Sequence, residues 1–148
     1  MKFGQNLKVS EVQGSMNVHG FSHVTINVSN LERSIDFYCN LLEMKLRHKG
    51  NKDVYLEWGN AWVCLIERNI HEKKEDSKFK QLGVDHIAFF IDEANFQEAV
   101  RKISQSKIRV VRGPVQRGKG LSINFLDPDG TELELHTSNL EERLEVWK

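Results

Sequence analysis

The pattern of apolar and polar positions from Phe21 onward predicts a strand, a helix and three further strands. The first strand is FSHVTINV, and the segment SNLERSIDFYCNLLEMKL follows it with apolar side chains at helical spacing. Those side chains are Leu31, Ile35, Tyr38, Leu41 and Leu42. Ser29, with Glu32 three residues later, predicts a capping box at the start of this helix. The remaining strands are a short piece around 47–48, then VYLEW and AWVCLIE, joined by the hairpin turn Gly59-Asn60.

The same order of elements returns after a charged, loop-like segment at 68–83. A strand, DHIAFFI, precedes DEANFQEAVRKI, which has an apolar helical face made of Phe96, Ala99, Val100 and Ile103. Three strands then follow, IRVV, LSINFLD and TELELH, and the sequence DPDG predicts a tight turn between the last two. The chain therefore contains an internal repeat of a β-α-β-β-β unit.

A sheet covered by a single helix still has an open face, which a partner module must cover. We therefore predict an α+β fold in which two tandem βαβββ modules form mixed sheets that curl around a cleft. The modules lie at about 21–68 and 84–137, within a domain at 20–148 that ends in a helical tail at 138–148. The polar segment at 1–19 is expected to be a disordered leader outside this domain.

Composition narrows the function more than it defines it. The 21 basic and 21 acidic side chains cancel to a formal net charge of zero, so no overall field favours nucleic acid or a membrane surface. A small-molecule substrate is the expected partner. The chain has two cysteines, too few for a disulfide framework, and its apolar runs are too short to span a membrane. We therefore expect a cytoplasmic protein.

The candidate chemistry lies in the first strand of each module and in the last strand. His23 and His86 occupy the same place in their modules, and alternation along TELELH puts Glu132, Glu134 and His136 on one face. Two imidazoles and a carboxylate suit a divalent ion and leave coordination positions open for a substrate oxygen. Because the three donors come from separate strands, the pattern alone is equally compatible with structural histidines and a solvated glutamate.

The segments FSHVTINVSNLERSIDFY, AWVCLIE, DHIAFFI and SINFLDPDGTELELHTSNLEERL resemble the vicinal oxygen chelate superfamily of glyoxalases, bleomycin-resistance proteins and dioxygenases. The resemblance covers roughly 20–144 and is strongest to the fosfomycin-resistance enzymes. It implies a glyoxalase-like fold around a metal cleft, with Mn²⁺ held by His23, His86 and Glu134; Fe²⁺, Zn²⁺ and Ni²⁺ are alternatives. It also implies a homodimer in which His23 faces the other chain's His86 and Glu134.

The resemblance assigns further roles around the ion. It implies that Thr25 hydrogen-bonds a developing alkoxide, that Arg143 binds a phosphonate, and that Tyr55 and Trp62 line the cavity. Each of these residues also has an ordinary structural interpretation. Cys64 falls where other family members carry a fourth ligand, and we interpret it as a small buried hydrophobe.

The chain departs from the fosfomycin-resistance pattern in the substrate pocket. Pro114 stands at the position of a phosphonate-binding lysine, and Asn124 at that of a tyrosine. Lys119 replaces a glutamate in a cation-binding loop, where its ammonium would restore part of the anion binding. We therefore include Lys119 and Asn124 among the expected substrate-binding residues.

These features predict a divalent-metal-dependent enzyme that acts on a small oxygen-chelating or epoxide-bearing molecule. The attacking group is a thiol or water, and the phosphonate pocket is altered. Two alternatives stay open. One is a lyase, an isomerase or an Fe(II) dioxygenase of the same superfamily, because the donor set suits iron(II) as well as manganese. The other is a non-catalytic, drug-binding dimer of the bleomycin-resistance kind.

Overall fold

The computed structural model of the chain describes residues 16–69 and 82–146. Most of the leader predicted at 1–19 and most of the charged loop lie outside the described residues, so the division into leader and domain stays a prediction. Within 16–69 and 82–146, no helix is long and apolar enough to cross a membrane.

The first module is a four-stranded sheet with one helical segment. Its sheet has the order β1-β4-β3-β2, with β1 parallel to β4 and the other pairs antiparallel. The helix α1 continues directly into a π-helical segment. The elements are β1 (Val24–Val28), α1 (Leu31–Ile35), the π-helix (Asp36–Leu41), β2 (Lys45–Lys49), β3 (Asp53–Trp58) and β4 (Ala61–Glu67).

The second module repeats this arrangement. Its sheet has the order β5-β8-β7-β6, again with the first strand parallel to the last. The elements are β5 (Ile87–Phe90), α2 (Glu93–Gln105), β6 (Val110–Arg117), β7 (Gly120–Leu126) and β8 (Glu132–His136), followed by α3 (Leu140–Val146). The α+β prediction of two tandem βαβββ modules is confirmed.

The start of α1 differs from the prediction. The capping box at Ser29 is wrong, because Asn30 is the N-cap and its side-chain oxygen accepts a hydrogen bond from the backbone N–H of Arg33 at 2.8 Å. Asparagine caps a helix as well as serine does. Ser29 instead donates its backbone N–H to the Asp129 carboxylate at 2.9 Å, so it contacts the other module.

The two modules share one hydrophobic core, formed by the helix-covered faces of both sheets. Phe37 of the first module lies 6.4 Å from Phe125 of the second, measured between ring centroids, and Trp58 lies 5.0 Å from Phe89. The buried side chains from the strands are Ile26, Val28, Val54, Leu56, Val63, Leu65, Ile123, Phe125, Leu133 and Leu135. Because these faces meet, the opposite faces carry the polar side chains that alternate with the core.

A buried polar contact fixes the DPDG turn against the first module. The Tyr38 hydroxyl donates to Asp127 Oδ2 at 2.8 Å, and Asp127 Oδ1 accepts the backbone N–H groups of Asp129 and Thr131 at 2.9 and 2.8 Å. Burial raises the pKa of Asp127, and these hydrogen bonds offset part of that rise. Gly130 completes the turn at a φ of 87°, where a side chain would be strained. The turn leads directly into β8.

Replacing Tyr38 by Phe is expected to lower the free energy of unfolding by about 1–3 kcal/mol, because the buried Asp127 carboxyl loses a donor. Urea denaturation followed by circular dichroism measures this change. Tyr55→Phe is the matched control; its exposed hydroxyl should contribute less than about 0.5 kcal/mol. Equal midpoints for the two variants would contradict the assigned role of the Tyr38 contact.

Candidate metal centre

The polar face of the second sheet is built by alternation along β8. Leu133 and Leu135 point into the core, so Glu132, Glu134 and His136 lie on the opposite face. The side chain of Glu134 is only 7% exposed. A carboxylate buried to this degree requires hydrogen-bonding or charged partners, because desolvation disfavours its ionised form.

His86 is the first partner of Glu134. It immediately precedes β5, the strand that pairs in parallel with β8, and its Nε2 lies 2.8 Å from Glu134 Oε2. Its Nδ1 lies 2.7 Å from a carboxylate oxygen of Asp85. In octahedral geometry, adjacent ligands with bonds of about 2.1 Å lie about 3 Å apart. The nitrogen of His86 and the oxygen of Glu134 therefore converge at the spacing that one divalent ion requires.

His136 is the second partner, and the sequence analysis assigned it no function. Its Nδ1 lies 2.9 Å from Glu134 Oε1, and its Nε2 lies 2.7 Å from the hydroxyl of Ser138. Because an ionised carboxylate only accepts hydrogen bonds, Nδ1 carries the proton and Nε2 accepts from Ser138. Burial acts to raise the pKa of Glu134, but the His136 hydrogen bond and the charges of His86, His136 and Arg112 lower it overall. Glu134 is therefore held as a carboxylate.

Asn124 lies beside Glu134 on β7 and is fully buried. Its carbonyl oxygen accepts a hydrogen bond from Arg112 Nη2 at 3.1 Å, and its amide donates to Glu132 Oε1 at 3.0 Å. Asn124 was predicted to bind substrate; in the structure it links a cation of β6 to a carboxylate of β8.

A second set of donors lies nearby. Among the described residues, Asp85, His86 and Glu132 offer three possible ligand atoms within 4.8 Å of one another. This set shares only His86 with the predicted one. We favour Glu134 over Glu132 as the carboxylate ligand, since Glu134 is buried and its oxygen lies within 2.8 Å of the His86 nitrogen, whereas Glu132 is engaged by Asn124.

His23 lies on the polar face of the first sheet, in an aromatic row. Its ring lies 4.4 Å from that of Trp62, which in turn lies 5.7 Å from Tyr55. Trp62 and Tyr55 are 42% and 39% exposed, and they line an open depression of about 390 Å³. Within the described part of one chain, no group of three donors includes His23. The single chain therefore unites two of the three predicted ligands.

Cys64 occupies the place in the first sheet that Glu134 holds in the second. It lies on the last strand between Thr25 of β1 and Tyr55 of β3, as Glu134 lies between the first and third strands of its own sheet. Cys64 is buried, and Thr25 is exposed beside it. The repeat thus carries its carboxylate in one module only.

Lys119 and Arg143 lie together at the turn between β6 and β7. The Lys119 ammonium pairs with the carboxylate of Glu145 in α3, and this hydrogen bond raises the pKa of Lys119. A Cβ added to Gly118 would lie 3.3 Å from Arg143 Nη1, so the guanidinium packs against the same turn. Their roles toward a substrate stay predictions.

Ser122 is a further polar residue that the sequence analysis did not select. It pairs with His136 across β7 and β8, it is fully buried, and its hydroxyl has no hydrogen-bond partner among the described residues. Alternation with Asn124 along β7 was the signal that could have identified it. A buried hydroxyl without a partner on the face of Glu134 is available to a ligand.

Comparisons with known proteins agree with this geometry. The model of the "Glyoxalase/Bleomycin resistance protein/Dioxygenase superfamily" matches residues 20–135. A metallothiol transferase FosB of Staphylococcus epidermidis is 34% identical over 135 residues, which are 90% of this chain and 92% of that protein. The crystal structure of the fosfomycin resistance protein FosX from Mesorhizobium loti superimposes with a TM-score of 0.69 at 30% identity, covering 86% of this chain and 99% of FosX.

FosX from Listeria monocytogenes was solved in complex with Mn(II) and sulfate. It superimposes with a TM-score of 0.72 at 26% identity, covering 89% of this chain and all of that structure. The repeated sheets, the paired His86 and Glu134, the family match and these fosfomycin-resistance relatives lead to one conclusion. The chain belongs to the glyoxalase/bleomycin resistance protein/dioxygenase superfamily.

Proposed function

We propose that the protein is a divalent-metal-dependent enzyme that acts on a small oxygen-chelating or epoxide-bearing molecule. The observation that carries the proposal is the convergence of His86 Nε2 and Glu134 Oε2 at 2.8 Å on a buried carboxylate. An imidazole nitrogen and a carboxylate oxygen fit Mn²⁺, Fe²⁺, Zn²⁺ or Ni²⁺. We favour Mn²⁺, since FosX of Listeria monocytogenes binds it.

The chemistry of the reaction divides between the ion and the chain. When bound, the ion would act as a Lewis acid on a substrate oxygen. His136 holds Glu134 ionised and in place, and the free hydroxyl of Ser122 offers a hydrogen bond on the same face. Thr25 is assigned to donate to a developing oxyanion, and Arg143 to anchor a negative group.

A thiol is the proposed co-substrate, because the relative at 34% identity is named a metallothiol transferase. The pocket differs from that of the fosfomycin-resistance enzymes where Asn124 is buried between two charged side chains and Lys119 pairs with Glu145. The natural substrate is therefore expected to differ from fosfomycin. Free Cys39 and Cys64 suit a reducing compartment, so we expect the enzyme to act in the cytoplasm.

We further propose that the site is completed in a homodimer. The helix-covered faces of the two sheets meet within one chain, so the face with His23 and the face with Glu134 are both directed away from the shared core. A second chain related by a two-fold axis would bring His23 of the partner subunit to His86 and Glu134, and would cover exposed Trp62 and Tyr55.

Metal analysis of untagged protein is expected to give about one equivalent of a divalent ion per chain, lost in His86→Ala and in Glu134→Gln. Inductively coupled plasma spectrometry measures the content, and the loaded protein is then screened with epoxides and vicinal diketones, with and without thiols. Glu132→Gln is the control that decides between the two donor sets, and it should retain the ion. Retention in Glu134→Gln with loss in Glu132→Gln would move the site to Asp85, His86 and Glu132. Absence of metal after reconstitution would overturn the proposal.

Mixing two inactive variants tests the shared site. A dimer of one His23→Ala chain and one Glu134→Gln chain should contain one intact site, because intact His23 then faces intact His86 and Glu134. Purification on two different tags, followed by metal analysis, should give about one ion per mixed dimer and almost none in either parent. If each site lay within one chain, the mixed dimer would be as empty as its parents.

Replacing His136 by Leu is expected to weaken metal affinity about 10- to 100-fold, because Glu134 loses the donor that orients its carboxylate. His136→Asn should restore part of the affinity through its amide N–H. Isothermal titration with Mn²⁺ measures both, and thermal melting of the metal-free proteins controls for folding. Equal metal affinities in the Leu and Asn variants, both far below wild type, would show that an amide donor cannot replace the imidazole; wild-type affinity in the Leu variant would refute the role.

A further inference from the structure

Arg112 lies in line with the candidate metal ligand across three strands. Its Cα partner on β7 is Asn124, and the Cα partner of Asn124 on β8 is Glu134. Two strand spacings separate Arg112 from Glu134, or about 10 Å between Cα atoms. A small molecule with one end at Glu134 therefore extends along this row toward a cation.

The guanidinium of Arg112 is held in one orientation. Its Nη2 donates to the carbonyl oxygen of Asn124 at 3.1 Å, and Asn124 is fixed by burial and by its hydrogen bond to Glu132. A guanidinium has five N–H donors, and one nitrogen is engaged here. The side chain of Arg112 is exposed, so its remaining donors are open to a ligand. Its charge also contributes to the lowered pKa of Glu134, which places it within electrostatic range of the site.

The surrounding charges favour a ligand with a single negative charge. Glu132 lies one hydrogen bond from Asn124, and Asp85 lies within 4.8 Å of Glu132, measured between donor atoms. A second negative charge on the ligand would be repelled by these carboxylates. Lys119 pairs with Glu145, so its charge is already balanced. A carboxylate, which is planar and singly charged, matches the fork of the guanidinium.

We propose that Arg112 anchors the substrate through a carboxylate group, and that Asn124 positions Arg112 instead of contacting the substrate. This inference deepens the proposed function, on which it rests, by naming the class of substrate: a small carboxylic acid whose other oxygens reach the ion. It also separates this chain from relatives that act on a phosphonate.

Three inert probes of the same shape test the anchor: cyclopropanecarboxylate, cyclopropylphosphonate and the neutral cyclopropanecarboxamide. Ligand-observed NMR titrations use full-length protein, both metal-free and loaded with diamagnetic Zn²⁺. The carboxylate is expected to bind more tightly than the phosphonate or the amide. Arg112→Gln should weaken carboxylate binding about ten- to a hundredfold and leave amide binding unchanged. Arg112→Lys, which keeps the charge without the fork, should lie between them.

Arg101→Gln is the matched control, since it removes the same charge from an exposed site on α2 where Arg101 pairs with Glu98. It should bind all three probes as the wild type does. Asn124→Ala should reduce the preference for carboxylate over phosphonate, with melting curves to verify folding. Equal carboxylate affinity in wild type and Arg112→Gln, in both metal states, would overturn the anchor, and tighter binding of the phosphonate would overturn the substrate class. If Arg112-dependent binding persists in protein that takes up no metal, the proposed function fails while the anchor holds.

Discussion

The buried carboxylate of Glu134 is the constraint on which the arrangement of the site depends. An ionised group removed from water is stable only with charged or hydrogen-bonding partners, and Glu134 has one on each oxygen, His86 and His136. The two partners have different consequences. His136 leads to Ser138 and away from the site, whereas His86 brings a second possible ligand atom to the carboxylate. The same demand for compensation therefore fixes the side chain and creates a site for a cation.

The way the modules join determines where that site can open. Each sheet buries one face against a helix, and these faces combine into a single core through contacts such as Phe37 with Phe125. The polar faces are consequently directed away from that core. A substrate cleft made from both of them needs a second copy of the chain, which is why we assign the third ligand, His23, to the neighbouring subunit.

The proposed chemistry combines a family feature with a local change. The relatives include a metallothiol transferase and fosfomycin-resistance proteins, and the convergence of His86 with Glu134 agrees with a metal enzyme. The row from Arg112 through Asn124 to Glu134 is a property of this chain's own residues. One oriented guanidinium beside two carboxylates is suited to a less highly charged group than a phosphonate. The fold and the ion can be retained while the substrate changes.

The sequence by itself determined the order of elements, the helix-facing side of each strand and the side of β8 on which Glu134 lies, because these follow from periodicities of two and 3.6 residues. Its resemblance to a known family also selected His86 and Glu134. It misplaced the cap of α1, since neighbouring Ser29 and Asn30 are equally good caps and only the contact of Ser29 with Asp129 separates them. It gave no role to His136, Ser122 or Arg112. Only the tertiary structure decided which side chains meet, because the parallel pairing of β5 with β8 and the register of β6 on β7 join residues distant in sequence, and local periodicity carries no information about that register.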